Sequence, residues 1–316
     1  MYLRVILSLI VTAIVVFVLM KTINLREAQE LLADFPKDAL ILLLTISALI
    51  SSIKAYRFFR LLRDSENDVS FWPVFRSYLA GGLTSSLPGG ELFRISLLKK
   101  DNSKLHTHQT TAPILTQSYV EMFSAIVIVM IGSFLFEIFL VPAIMAFLLV
   151  VGMFFILAHD KPLRIVIKRS VKFERINEFL QKLRKSQNLI RESYFTKKKL
   201  IPNKSLMNSL LISLVIHGLG GLLLLLIVYS LDGDINYFES LYIYTLGIVV
   251  SSIGSISPGG LGFTDGAMTA ALIFFGVMLP AAFIVVVIFR IVTLVFNILL
   301  GILFLLMFYR SILIRR

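Results

Sequence analysis

The sequence predicts an all-α polytopic membrane protein built from two inverted-topology repeats, each carrying a re-entrant broken-helix hairpin. Three observations carry this prediction. First, the 316-residue chain is 57% hydrophobic and only 16% charged, with a mean hydropathy of +0.88, and several apolar runs approach or exceed the roughly 18 residues that mark a membrane helix. Second, Lys and Arg are unevenly distributed, which sets an orientation in the bilayer. Third, Ser-Leu-Pro-Gly-Gly-Glu-Leu-Phe-Arg at 86–94 has a counterpart in Ser-Pro-Gly-Gly-Leu-Gly-Phe-Thr-Asp at 257–265. After nearly equal intervals each is followed by one ionisable residue inside an apolar stretch, Glu121 and Arg290.

The elements follow from charge placement. Residues 5–20 lack a small-residue cleavage site and read as a retained first helix running outward, with a mixed-charge loop at 21–37 outside. A helix over about 38–56 returns to a cytoplasmic loop holding Arg57, Arg60 and Arg63. Lys99, Lys100 and Lys104 place the far end of 71–98 on that same side. The apolar part after Pro88 is about 10 residues, roughly 15 Å of helix against a core of about 30 Å, so a hairpin fits better than a span. Segments 113–136 and 138–158 then cross outward and inward.

The polar segment 159–205 carries basic residues from Lys161 to Lys204 against only Asp160, Glu174, Glu178 and Glu192, and reads as a cytoplasmic loop. Within it Ile176, Phe179, Leu180, Leu183 and Ile190 fall near one helical face. That face suits an anionic inner-leaflet surface or, equally well, a solvated connector packed on helix ends. Residues 206–231 run outward to the acidic Asp232-Gly233-Asp234, and the last helix, about 281–309, ends inside at Arg310, Arg315 and Arg316. Segment 237–279 therefore begins and ends outside, as a hairpin or as two full spans. The chain reads as one integral membrane domain over 1–316, with repeat 1 at 38–136, repeat 2 at 206–309 and both termini cytoplasmic.

Composition excludes several function classes. A net charge of +12 fits cytoplasmic loops of a membrane protein better than nucleic-acid binding. There is no cysteine, hence no disulfide, thiolate metal site or cysteine nucleophile. His106 and His108 lack acidic neighbours, His159 opens the basic loop, and His217 beside Gly218 and Gly220-Gly221 reads as helix packing rather than a proton relay. No metal site, cofactor or catalytic residue is expected, and no P-loop, nucleophile elbow or zinc-protease motif occurs.

The candidate site residues are Pro88, Gly89, Gly90, Glu91, Arg94, Glu121, Pro258, Gly259, Gly260, Asp265 and Arg290. Each proline ends an incoming helix, each glycine pair permits close approach, and each following half-helix offers unpaired N–H groups to an anion. Broken helices in corresponding places point to the centre of a repeat-built transporter. Glu91 and Arg94 share a helix face, as a local ion pair or with Arg94 facing a headgroup phosphate. Asp265 supplies a carboxylate at the corresponding place in the second motif. Glu121 and Arg290 each lie deep in a spanning segment, where a charge costs roughly 2.5–3.5 kcal/mol unless it faces a partner or a wet cavity. They read as a pair that gates a central path or as a buried structural ion pair.

Pro258-Gly-Gly-Leu-Gly-Phe-Thr-Asp265, followed by Gly276 and Arg290, resembles the Pro-Gly-Gly-x-Gly-x-x-Glu motif and later Arg of the lysylphosphatidylglycerol synthase transmembrane-region family. That family includes the flippase domain of bacterial multiple peptide resistance factor. Pro88-Gly-Gly-Glu91-Leu-Phe-Arg94 is similar to the family's Gly-Glu-x-x-Arg after a proline, and Glu121 stands where a family Glu is usual. Asp265 replaces the usual Glu, and the first motif is compact before its Gly-Glu. The resemblance implies transbilayer movement of an anionic phospholipid or lipid-linked glycan in the cell membrane. The synthase domain of the larger relatives is missing from this sequence, so synthesis of lysyl-lipid is not expected. The alternatives are a non-transporting membrane subunit presenting lipid to a separate glycosyltransferase or synthase, an association that some relatives have, and a lipid-phosphate enzyme. Oligomerisation is compatible with every reading.

Overall fold

The computed structural model describes residues 35–65, 68–84, 92–101, 107–138, 203–253 and 262–314, and the single positions 33, 144 and 148. The expected first helix at 5–20, nearly all of 138–158 and nearly all of the 159–205 loop lie outside the described residues, as do Pro88, Gly89, Gly90, Glu91, Pro258, Gly259 and Gly260. Every regular element among the described residues is helical.

Helix α1 spans Lys37–Asp64, entered from an extended Pro36, with Asp38 in its first turn and Arg63 in its last, both complementing the helix dipole. It corrects the expected boundary at 56. At 28 residues it is about 42 Å long, so it outruns a hydrocarbon core of about 30 Å. Arg57 therefore sits in the helix, fully buried, while Arg60 and Arg63 are exposed.

Helix α2, Phe71–Ala80, tightens into a 3₁₀ turn at Gly81–Thr84. Helix α3, Leu92–Asp101, ends on Lys99 and Lys100, and α4 spans Thr107–Leu135. The same order then repeats. Helix α5, Asn203–Tyr229, is followed by α6, Tyr237–Ile253, and α7, Phe263–Phe274. Helix α8, Leu279–Arg290, runs through a π turn at Ile291–Val295 into α9, Phe296–Ile314. Among the described residues four stretches are long and apolar enough to cross a membrane: Lys37–Asp64, Pro113–Leu135, Lys204–Tyr229 and Leu279–Tyr309.

Local chemistry fixes the start of the second short pair. Asn236 Oδ1 accepts from the backbone N–H of Phe238 and Glu239, and Glu239 Oε2 accepts from the N–H of Asn236, which closes a reciprocal cap on α6. Gly262 enters α7 at φ 87°, a conformation that disfavours a side chain.

In lipid, helices associate through close packing rather than through hydrophobic burial alone. Gly220 on α5 lies against the Tyr244 ring of α6, and Gly221 against Leu241. Gly132 on α4 faces Tyr242, and Gly301 on α9 admits the backbone of Leu83. The main core joins α1 and α4 to α5–α8 through Leu43, Ile126, Leu223, Ile243, Leu272 and Val285. A second cluster gathers Phe58, Val74, Tyr78, Leu98 and Ile114, with Phe304 of α9 packed on it.

The packing has an exchange pattern. Helix α1 lies on α5, α4 on α6, and α9 on α2. Swapping the two units maps each of these contacts onto another or onto itself. Ser205 bonds Asp64 and Ser213 bonds Arg57, so α1 and α5 run antiparallel.

Candidate functional site: a polar cavity between the units

Helix α1 carries Ser47, Ser51 and Lys54 at spacings of four and three, which puts them on one face of the helix. They line a cavity of about 430 Å³ whose wall also includes Tyr78, Arg94, Gln117, Glu121, Tyr244, Arg290, Thr293 and Asn297. Both units contribute to it. Its volume falls within the range of small-molecule sites, about 300–1,000 Å³.

Glu121 lies midway along α4 and faces two cations of α1. Lys54 Nζ is 2.7 Å from Oε1 and Arg57 Nη2 is 2.5 Å from Oε2. Arg57 also donates through Nη1 to Ser213 Oγ on α5. His217 Nε2 lies 2.8 Å from Ser124 Oγ and 3.2 Å from the Glu121 carbonyl oxygen. This side of the cavity is a charge network spanning α1, α4 and α5. Such a network meets the requirement that an intramembrane charge find partners.

Another part of the wall is the π turn, which supplies Thr293 and Leu294. A π turn shifts the backbone ladder and leaves carbonyls poorly answered, and such turns recur at functional sites. Ser47 Oγ donates to the Val292 carbonyl at 2.8 Å, and Thr293 Oγ1 to that of Phe289 at 2.6 Å. Ser51 Oγ donates to Asn297 Oδ1 at 2.6 Å, while Asn297 Nδ2 donates to the Thr293 carbonyl at 2.6 Å. Helix α1 of the first unit thus stabilises the irregularity in the second.

Arg290 stands at the junction of α8 and the π turn. Its Nε is 2.6 Å from Asp265 Oδ1, and Asp265 Oδ2 accepts from the Gly262 N–H at 2.9 Å. One carboxylate therefore ties the entry of α7 to α8. Glu121 and Arg290 line the same cavity, yet each has its own partners from neighbouring helices. The alternative of a direct Glu121–Arg290 ion pair is not the pairing that forms.

Arg94 differs from all of these. It is only 6% exposed, its guanidinium carbon sits 4.0 Å from the centroid of the Tyr78 ring, and its Nε has no hydrogen-bond partner among the described residues. Gly81 makes room for it: a Cβ there would lie 2.1 Å from Arg94 Cγ. No carboxylate among the described residues pairs with it. The expected Glu91–Arg94 pair falls on a residue outside the described set.

Sequence reasoning singled out Arg94, Glu121 and Arg290, which share the cavity wall, and Asp265, which stands behind Arg290. It missed Lys54 and took Arg57 as a loop residue. Their signal was available: two cations three residues apart, in phase with Ser47 and Ser51. It also missed Tyr78, Gln117, Asn297 and the π turn, whose roles depend on partners distant in sequence.

No curated protein matches the chain. The Lysylphosphatidylglycerol synthase TM region matches residues 5–301, which takes in the first helical unit, the second as far as the start of α9, and every residue of the cavity. The chain belongs to the lysylphosphatidylglycerol synthase transmembrane-region family.

Proposed function

We propose that this protein moves an anionic phospholipid or lipid-linked glycan across the cell membrane, as a flippase or scramblase-like transporter without catalytic residues of its own. The observation that carries the proposal is Arg94, a buried guanidinium on a cavity wall that no described carboxylate neutralises. A fixed cation in a low-dielectric site binds phosphate strongly. The cavity wall combines residues of the long apolar helices α1, α4, α5 and α8 with residues of the short helices between them, so a headgroup can occupy it while the acyl chains remain in lipid.

The architecture supports an inverted-repeat reading. The antiparallel course of α1 and α5, with the exchange pattern of contacts, is what a two-fold axis in the membrane plane produces. The short helices α2 and α7, whose ends both fall within the described residues, hold 10 and 12 residues. At about 15 and 18 Å, each falls short of a core of about 30 Å, which favours re-entrant hairpins in both units. In this reading Glu121, Asp265 and Arg290 line or gate the path, and Pro88, Gly89, Gly90, Glu91, Pro258, Gly259 and Gly260 form the hairpin tips. Both termini and the 159–205 loop face the cytoplasm, and that loop meets the anionic inner leaflet. Single cysteines at Arg63 and Lys100 should then be labelled from the same side; labelling from opposite sides removes the first hairpin.

The function is tested by reconstituting the purified chain in liposomes with fluorescent phospholipids and a polyprenyl-phosphate lipid, and reading transbilayer movement. Faster movement than in empty liposomes, lost in Arg94→Gln, is the expected result. Absence of movement for every lipid and ion gradient overturns the proposal in favour of a subunit presenting lipid to a separate enzyme.

A further inference from the structure

We infer that the cavity selects a net-anionic headgroup that also carries a hydroxyl donor, a phosphate-linked polyol or sugar, and that Gln117 acts with Arg94 to select it. The inference rests on the lipid-site reading of this cavity and adds what the site accepts and what it rejects.

Gln117 lines the cavity, is 5% exposed and donates its amide N–H to Tyr78 Oη at 2.9 Å. Its carbonyl oxygen Oε1 has no hydrogen-bond partner among the described residues. Tyr78 thus positions two groups: the Arg94 guanidinium on its ring face and the Gln117 amide at its hydroxyl. Guanidinium is donor-only, and an amide carbonyl is acceptor-only. A phosphate answers the first and a hydroxyl the second. A headgroup lacking the hydroxyl leaves a buried carbonyl unanswered, which is how sites built for a hydroxyl reject analogues without one.

Charge sets the second criterion. Lys54, Arg57, Arg94 and Arg290 stand in or directly behind the wall against Glu121 and Asp265, a surplus of two positive charges among the described residues. A lysyl ester on the headgroup adds ammonium groups to a site already positive, and in a low-dielectric cavity that repulsion is weakly screened. Aminoacylated lipid is therefore the poorest ligand, although the family takes its name from it.

The test measures binding by native mass spectrometry of the purified protein in detergent, independently of transport. The probes are phosphatidylglycerol, phosphatidylmethanol (the same charge without a hydroxyl), lysyl-phosphatidylglycerol and soluble glycerol 3-phosphate. Phosphatidylglycerol should bind about tenfold tighter than phosphatidylmethanol, the size of one good buried hydrogen bond, and lysyl-phosphatidylglycerol weakest of the lipids. Gln117→Leu should erase the tenfold ratio. Tyr78→Phe, which keeps the ring under Arg94 and removes the hydroxyl that holds Gln117, should shrink it. Arg94→Gln should weaken both anionic lipids alike. Equal or tighter binding of the lysyl lipid, or a ratio unchanged in both Gln117→Leu and Tyr78→Phe, overturns the inference. Glycerol 3-phosphate binding as tightly as phosphatidylglycerol overturns the lipid as its source. Selectivity without transport in liposomes refutes the transporter reading alone, whereas transport without selectivity refutes this inference alone.

Discussion

The short helices that follow the two Pro-Gly-Gly segments treat their charges in opposite ways. In α7, Asp265 accepts from the Gly262 N–H and from Arg290, so the charge is answered within the protein. In α3, Arg94 rests on the Tyr78 ring and meets no described carboxylate. A charge that is paired and hydrogen-bonded holds structure together, and losing one partner strands the other. A buried charge without a counterion burdens the fold and is retained where a ligand supplies the counterion. On the proposed lipid-site reading, the same sequence device yields a latch in the second unit and a receptor in the first.

The largest expected effect lies on the latch. Asp265→Asn removes the ionic partner of Arg290 and weakens the tie to Gly262, and should cost about 3 kcal/mol, the lower end of the range for removing one partner of a buried pair because both side chains keep some exposure. Thermal unfolding in detergent measures it. Glu121→Gln strands both Lys54 and Arg57 and should cost a similar amount. Because Glu121 and Arg290 have separate partners, the stability losses of Glu121→Gln and Arg290→Gln should add to within about 0.5 kcal/mol. Their effects on lipid movement should not add, since both residues line one cavity. A strongly non-additive stability result would show the latch and the Glu121 network to be one unit and blur the contrast.

A glycine pair sharpens the contrast at intermediate size. A Cβ at Gly81 collides with Arg94 at 2.1 Å, whereas one at Gly266, in α7, meets nothing within 4 Å. Gly81→Ala should therefore cost about 1–3 kcal/mol through overpacking and reduce lipid capture by shifting Arg94. Gly266→Ala should instead stabilise by about 0.5–1 kcal/mol, because glycine in a helix interior loses more backbone entropy. Equal effects on lipid capture would mean that Gly81 does not position Arg94.

How far the sequence discloses this arrangement depends on where each partner lies. The membrane helices were legible because their apolar runs are local, and Arg94, Glu121, Asp265 and Arg290 were legible because a charge in such a run is conspicuous. The end of α1 was misread because Arg57, Arg60 and Arg63 together look like a loop. In the fold only Arg57 is buried, drawn in by Glu121 and Ser213. The π turn has no signal of its own in Ile291-Val-Thr-Leu-Val295. Its Val292 carbonyl is answered by Ser47, 245 residues earlier in the chain. Gln117 reads as an ordinary polar residue near a helix start; only the fold puts its amide on the hydroxyl of the Tyr78 ring that Arg94 covers.

One of the smaller expected effects on stability is also the most diagnostic. If Arg94 serves a ligand and not the fold, Arg94→Met removes a buried, uncompensated charge and keeps an apolar stem against Tyr78. Thermal stability in lipid-free detergent should rise by about 1 kcal/mol, in the range typical of relieving a functional strain, while capture of anionic lipid is lost. Arg94→Lys retains the charge but not the planar group that stacks on the ring, so it should bind lipid weakly and show no gain in stability. Added phosphatidylglycerol should then stabilise the unmodified protein and leave the Met variant unmoved, since only ligand binding to the folded state shifts the unfolding temperature. A loss of several kcal/mol in Arg94→Met, comparable to that of Asp265→Asn, would make Arg94 a second latch and remove the asymmetry between the two units.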